Sequence, residues 1–403
     1  MLSERNEFGG AGSLLSLSAV FGVRERPEGE GRAASEDLSG YRRVVHGDFV
    51  VNRLVARDGA FAVSGLDGLI SPAYWVLRAR KDFDTRFVNY LLRSSHYLAE
   101  IGARSKAMPP AQFDLPWEQF RTLPIASPEL SLQRDIADFL DTETARIDAL
   151  ITKKQRMVEL LEMRFVGEST AYVLSGTRNT QTVQSRTGFY GLVPTGWKET
   201  SLRHLGCEVQ TGPFGSQLHA EEYVENGWPV VNPQNLKEGR ILPIADMCVS
   251  SEKRQDLGRH ILRFGDIVFG RRGEMGRAGL VSEVEAGWLC GTGSLRLRLL
   301  SKEIVPEYFL LLLQTQAAKA YFQLSSVGST MENLNSEILL DFPMLVPSVT
   351  EQSEIITRMA ELRTKKDRMN TLVKEQVRLL SERRQALITA AVTGEFGIPE
   401  VAA

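Results

Sequence analysis

The side chains best placed to do chemistry in this sequence are arginines, and their chemistry is recognition rather than catalysis. Within residues 42–57, Arg42, Arg43, Arg53 and Arg57 face only Asp48. Within residues 253–277, Lys253, Arg254, Arg259, Arg263, Arg271, Arg272 and Arg277 face only Asp256, Asp266 and Glu274. A guanidinium is a permanent cation with a planar fork of donors, so it suits phosphates and the guanine edge. Arg53, Arg57, Arg271, Arg272 and Arg277 are the candidates for DNA contact, with Arg53 and Arg271 at matching positions. The amides of Gln234 and Asn235 have the donor–acceptor pair that reads adenine.

Catalytic spacing is missing. The sequence has no GxSxG elbow, no HExxH and no GxxxxGK[ST] phosphate loop. Gly9, Gly10 and Gly12 form a glycine-rich loop without the spacing of a dinucleotide fingerprint. Asn232-Pro233-Gln234-Asn235 loosely resembles the Asn-Pro-Pro-aromatic motif of amino-methyltransferases but lacks the aromatic, so it reads as a turn. His46, His96, His204, His219 and His260 show no ligand spacing, and Cys207, Cys248 and Cys290 form no CxxC pair. The cysteine usage fits a reducing cytoplasm. No apolar run approaches the roughly 18 residues of a membrane span.

The 403 residues carry 48 Lys+Arg and 50 Asp+Glu, which excludes a globally basic nucleic-acid binder but not local basic stripes. At roughly 100–200 residues per domain, this length suggests several domains. The chain repeats itself. Asp48 in HGDFVVNR matches Asp266 in FGDIVFGR, 218 residues on. Pro128 and Gln133 match Pro347 and Gln352, each 219 residues on. Leu174-Ser175-Gly176 matches Val392-Thr393-Gly394. A constant offset of this kind means two copies of one unit.

Each copy reads as a β-rich part followed by a long helix, an α+β architecture. Short alternating runs such as Phe49-Val50-Val51 and Leu295–Arg298 predict strands, and 86–102 and 306–323 predict short helices. Three-four apolar spacing predicts long helices over 130–176 and 349–395, each about 45 residues and roughly 65 Å long. Ile136, Leu140, Ile147, Ile355, Met359 and Leu362 lie on their stripes and are the candidates for helix packing and partner docking. An antiparallel pair related by a pseudo-twofold axis is expected, with the two β-rich parts at its ends. The parts are then 1–129 and 194–348, with a polar linker over 177–193 and a tail over 396–403. Trp197 in VPTGWK would have its counterpart before Met1, so the first β-rich part is expected to lack its opening strand.

These motifs are similar to those of a known family. Gly212–Ser216 (GPFGS), Phe264–Val281 (FGDIVFGRRGEMGRAGLV), the FPMLVP…EQ run over Phe342–Gln352 and Ala390–Glu395 (AAVTGE) resemble the specificity subunit of Type I restriction–modification systems. Ser71–Leu77 (SPAYWVL) and the LPIASPELSLQ run from Leu123 do so in the first copy. The resemblance implies two target-recognition domains on two antiparallel helices, each domain reading half of a split, asymmetric sequence in double-stranded DNA. It implies two modification subunits that use S-adenosylmethionine and two motor-nuclease subunits that use ATP and magnesium. Those cofactors belong to the partners, and the chain itself is expected to be non-catalytic and cytoplasmic, without a membrane. A self-contained methyltransferase or nuclease, and a truncated or orphan scaffold that no longer reads both half-sites, are the competing readings.

Overall fold

A computed structural model describes residues 2–19, 22–27, 37–108, 112–178, 180–215, 217–244, 246–326 and 334–397. Ser216 of the GPFGS run and most of the 396–403 tail lie outside them. The chain forms two compact units, Met1–Val158 with Thr371–Ala403, and Glu159–Asn370. Each unit takes part of both long helices, Leu130–Ser175 and Val349–Thr393.

The first unit is built on an antiparallel sheet of four strands in the order Leu2–Glu4, Tyr74–Ala79, Phe49–Asn52, Phe61–Val63. Alternation decides its two faces. Phe49, Val51, Trp75 and Leu77 face one core, with the helix Thr85–Arg93 and the ends of both long helices. Val50 and Val76 face a smaller core with Leu15, Leu17, Val44 and Ile70.

The second unit repeats the sheet: Cys207–Thr211, Ser294–Leu299, Ile267–Gly270, Ala278–Leu280. Ile267, Phe269, Leu295 and Leu297 face the larger core with Tyr308, Phe309 and Phe342. Val268 faces a smaller core with Val231, Leu236, Ile241 and Cys290. Where the first unit has Val76 opposite Val50, the second has Arg296 opposite Val268. This unit also pairs Lys198–Ser201 with Pro343–Val346. Among the described residues of the first unit, no strand covers the segment before its long helix in that way.

Each expected short helix is split in two: Thr85–Arg93 and Ser95–Arg104, then Pro306–Leu313 and Gln316–Ser326. The break has one cause in both units. The buried hydroxyl of Ser94 donates to the Leu91 carbonyl at 2.8 Å, and that of Thr315 to the Leu312 carbonyl at 2.8 Å. A hydroxyl that satisfies its own helix carbonyls competes with continuation of the helix.

The long helices end alike. Gly176 and Gly394 take φ of 76° and 78°, the left-handed turn that terminates a helix and that a side chain would oppose. This explains the repeated LSG and VTG triplets. In the first unit, Asp148 pairs with Arg384 at 2.9 Å, while Ile136 and Leu140 share a core with Ile388 and Val392. In the second, Glu162 meets Lys366 at 3.3 Å and Thr177 meets Glu354 at 3.0 Å. Numbers rise along one helix as they fall along the other, so the pairing is antiparallel in each unit.

The packing corrects the docking role expected of the apolar stripe. Ile136, Leu140, Ile147, Ile355 and Met359 are buried in the chain's own cores, and Leu362 packs against the larger core of the second unit. The first five lie inside this chain's cores, and Leu362 is partly buried. The stripe is open instead at Leu150.

Candidate nucleic-acid interface

Arg53 follows the strand Phe49–Asn52 and Arg271 the strand Ile267–Gly270, and one backbone bond holds each in the same way. The Arg53 carbonyl accepts from the Leu115 amide at 3.1 Å, and the Arg271 carbonyl from the Leu334 amide at 2.9 Å. Leu115 and Leu334 are both buried, which anchors the contact. The side chains differ in what they meet. Arg53 lies 3.2 Å from Asp114, while Arg271 Nε donates to the Leu334 carbonyl at 3.3 Å. Arg57 stacks its guanidinium 3.9 Å from the centre of the Phe113 ring. Arg53 and Arg57 thus converge on one short strand, Gln112–Asp114.

Around Arg271 the second unit assembles several of the candidates. Its amide donates to the Gly293 carbonyl at 3.0 Å. The turn Pro233–Asn235 packs Pro233 against Gly270 and Gly293, bringing Gln234 to the same locality. Arg272 is exposed and makes no side-chain hydrogen bond or ion pair with a described residue. Arg277 is half-buried beside Gly270 and Gly273.

Asn235 does not serve as an adenine reader, and the reason is its own turn. It is 2% exposed, its Oδ1 accepts from the Asn232 amide at 2.8 Å, and its Nδ2 donates to the Leu242 carbonyl at 2.8 Å. Both halves of the amide are spent closing the loop. Gln234 next to it is exposed, with its Nε2 near the Met247 sulfur.

Several cations of the basic runs also have internal work. Arg42 pairs with Glu4 at 2.6 Å and Lys253 with Glu222 at 2.6 Å. Arg254 donates to the Gly287 carbonyl and lies 3.9 Å from the Trp228 ring. Arg259 donates to His260 Nε2 at 3.0 Å. Burial, Arg259 and Arg296 together push the His260 imidazole down to about 4, so it is neutral at physiological pH. Arg254 belonged to the basic run, but only the fold reveals Trp228 as its platform. Phe214, 63% exposed in the GPFGS loop, is a further aromatic on this unit that charge counting does not find. Its neighbour Gly212 passes so close to the Gly291 carbonyl that a Cβ would collide with it.

Among the described residues, no group of three or more His, Cys, Asp or Glu could hold a metal ion. No described helix is long and apolar enough to cross a membrane. Residues 194–378, the second β-rich part with most of its helix, match the model of the Type I restriction modification DNA specificity domain. The chain is similar to Type I specificity subunits along most of its length. It is 25% identical over 331 residues to the Type I restriction enzyme EcoKI specificity subunit of Escherichia coli K12, across 80% of this chain and 68% of that one. The EcoBI specificity subunit of Escherichia coli is 22% identical, across 83% of this chain and 73% of its own length. Solved specificity subunits share the fold. A chain from a structure of the type I R-M system aligns with a TM-score of 0.69 at 16% identity, across 88% of this chain and 84% of that one. The HsdS subunit from Thermoanaerobacter tengcongensis aligns with a TM-score of 0.52 at 18% identity, across 90% and 84%. The matched arginines Arg53 and Arg271 lie one in each repeat of this chain.

Proposed function

We propose that this chain recognises a bipartite, asymmetric DNA target, one half-site per β-rich domain, and docks two modification and two restriction subunits. The observation that carries this reading is the duplication around Arg53 and Arg271, held by the same backbone bond to Leu115 and Leu334. Two copies of one presenting geometry, with different side-chain surroundings, suit two different half-sites. Arg53, Arg57, Arg271, Arg272 and Gln234 are its proposed DNA contacts. The long helices fix the unread gap, because half-site spacing follows from domain separation. The chain supplies no catalysis. S-adenosylmethionine, ATP and magnesium act in the partner subunits.

Co-expression with a modification subunit, followed by mapping of methylated adenines, tests the reading. A split motif that requires both proteins is the expected result. A motif with one half only would reduce the first domain to a support. Absence of methylation from a stable complex would favour the second reading, a scaffold that no longer reads DNA.

A further inference from the structure

A cleft of about 770 Å³ opens within the second unit. Its walls are the hairpin Leu236–Ile241, the turn 274–278, the helix Pro306–Leu313 and the segments of both long helices in that unit. Six cations line it: Lys237, Arg240, Arg277, Lys319, Arg363 and Lys366. Four acids do so too: Glu162, Glu238, Glu274 and Asp367. Lys366 is already engaged, 3.3 Å from Glu162 and 4.4 Å from the centre of the Phe165 ring. The side chains of the other five cations make no hydrogen bond or ion pair with any described residue.

Arg277 is the unusual one. Its Nε is buried and has no acceptor among the described residues. Arginines so placed are ordinarily paired, because a buried donor without an acceptor forfeits its hydration for nothing. Four other cations without a partner among the described residues share the space, and Phe165, Met275, Leu310 and Leu313 add apolar surface to it. The volume lies within the range of small-ligand sites.

We propose that this cleft binds a phosphate group, with Arg277 as its principal contact. A guanidinium fork matches phosphate oxygens, and an excess of unpaired cations favours a dianion over a carboxylate. Two sources carry that chemistry, a free nucleotide and the DNA backbone. Only the second rests on the function proposed above.

Titration calorimetry on the full chain with inorganic phosphate and with ATP, and DNA binding in complex with the modification subunit, decide between them. Arg277→Gln and Arg363→Gln are the test variants, each checked by its thermal midpoint. A free-ligand site predicts saturable binding of phosphate or ATP that weakens about 10- to 100-fold in Arg277→Gln. A backbone contact predicts no binding of either small ligand, but weaker binding of every duplex sequence and a shallower salt dependence in both variants. If neither small ligand binds and both variants hold DNA as wild type does, the cleft proposal is overturned. Sequence-selective binding by the wild type would in that event leave the specificity reading standing. If the wild-type complex fails to bind DNA, the phosphate and ATP titrations still decide the cleft.

Discussion

Gln352 repeats the three hydrogen bonds of Gln133, 219 residues along the chain. Gln133 Oε1 accepts from the Asp84 amide at 3.0 Å, and its Nε2 donates to the carbonyls of Asp82 and Pro128 at 3.2 and 2.8 Å. Gln352 Oε1 accepts from the Val305 amide at 2.8 Å, and its Nε2 donates to the carbonyls of Glu303 and Pro347 at 2.7 and 2.9 Å. Both side chains are fully buried. Each ties the first turn of a long helix to the loop that precedes the short helices. Gln352→Leu keeps the size but leaves three backbone groups unpaired, so it should cost about 3 kcal/mol. Denaturant unfolding measures this, and a loss under about 1 kcal/mol would mean that water replaces the clamp.

Asp266 holds a second duplicated device. It accepts two hydrogen bonds from Arg298, both at 2.7 Å, and a third from the Arg263 amide at 2.7 Å. Asp48 accepts the equivalent backbone bond from Val45 at 2.9 Å, but its guanidinium is Arg5, at 2.6 and 2.8 Å. Asp266→Ala leaves the mostly buried Arg298 guanidinium only Glu208, at 3.5 Å, and should destabilise the second unit by about 3 kcal/mol. Hydrogen exchange should then speed up in 194–370 and stay unchanged in the core strands of the first unit. Uniform acceleration would show that the two units unfold as one.

Arg271→Ala and Asn235→Ala should separate recognition from folding. The first should leave the thermal midpoint within a degree or so and weaken specific DNA binding by about 1–3 kcal/mol. The second should lower stability by about 1–2 kcal/mol, because the amide closes a loop. Equal effects of both on affinity at unchanged stability would return Asn235 to the reading surface.

His260 provides a pH test. Its folded-state pKa of about 4 lies below the ordinary 6.5, so the unfolded chain binds the extra proton first. Its contribution to stability is therefore constant above pH 6.5, falls as pH drops toward 4, and levels off below. His260→Gln should flatten that part of the stability profile. An unchanged slope would mean that the imidazole gains a proton in the folded state as readily as in the unfolded one.

Lengthening the first long helix by two turns between Leu150 and Val158, with a matching insertion between Thr371 and Leu379, should change the gap in the methylated motif. The bases of either half-site should stay the same. A motif with its original gap would end the idea that the helices set the spacing.

The sequence alone determined the repeat, the antiparallel helices and the likeness to Type I specificity subunits. These follow from patterns along the chain, namely apolar residues three and four apart, glycine after each long helix, and motifs recurring at a fixed offset. It also placed Arg53 and Arg271 at matching positions. Tertiary structure decided what each polar residue is for. Asn235 looked like a base reader and closes its own turn, because its amide lies within reach of Asn232 and Leu242. Ser94 and Thr315 interrupt helices that periodicity runs through, because a buried hydroxyl takes the last carbonyls. Ile136 and Ile355 fill this chain's own cores rather than waiting for a partner. Periodicity reports that a face is buried, and a charge run that a region is cationic. Which atoms satisfy those faces and charges depends on residues far apart in sequence, and only the folded chain brings them within bonding distance.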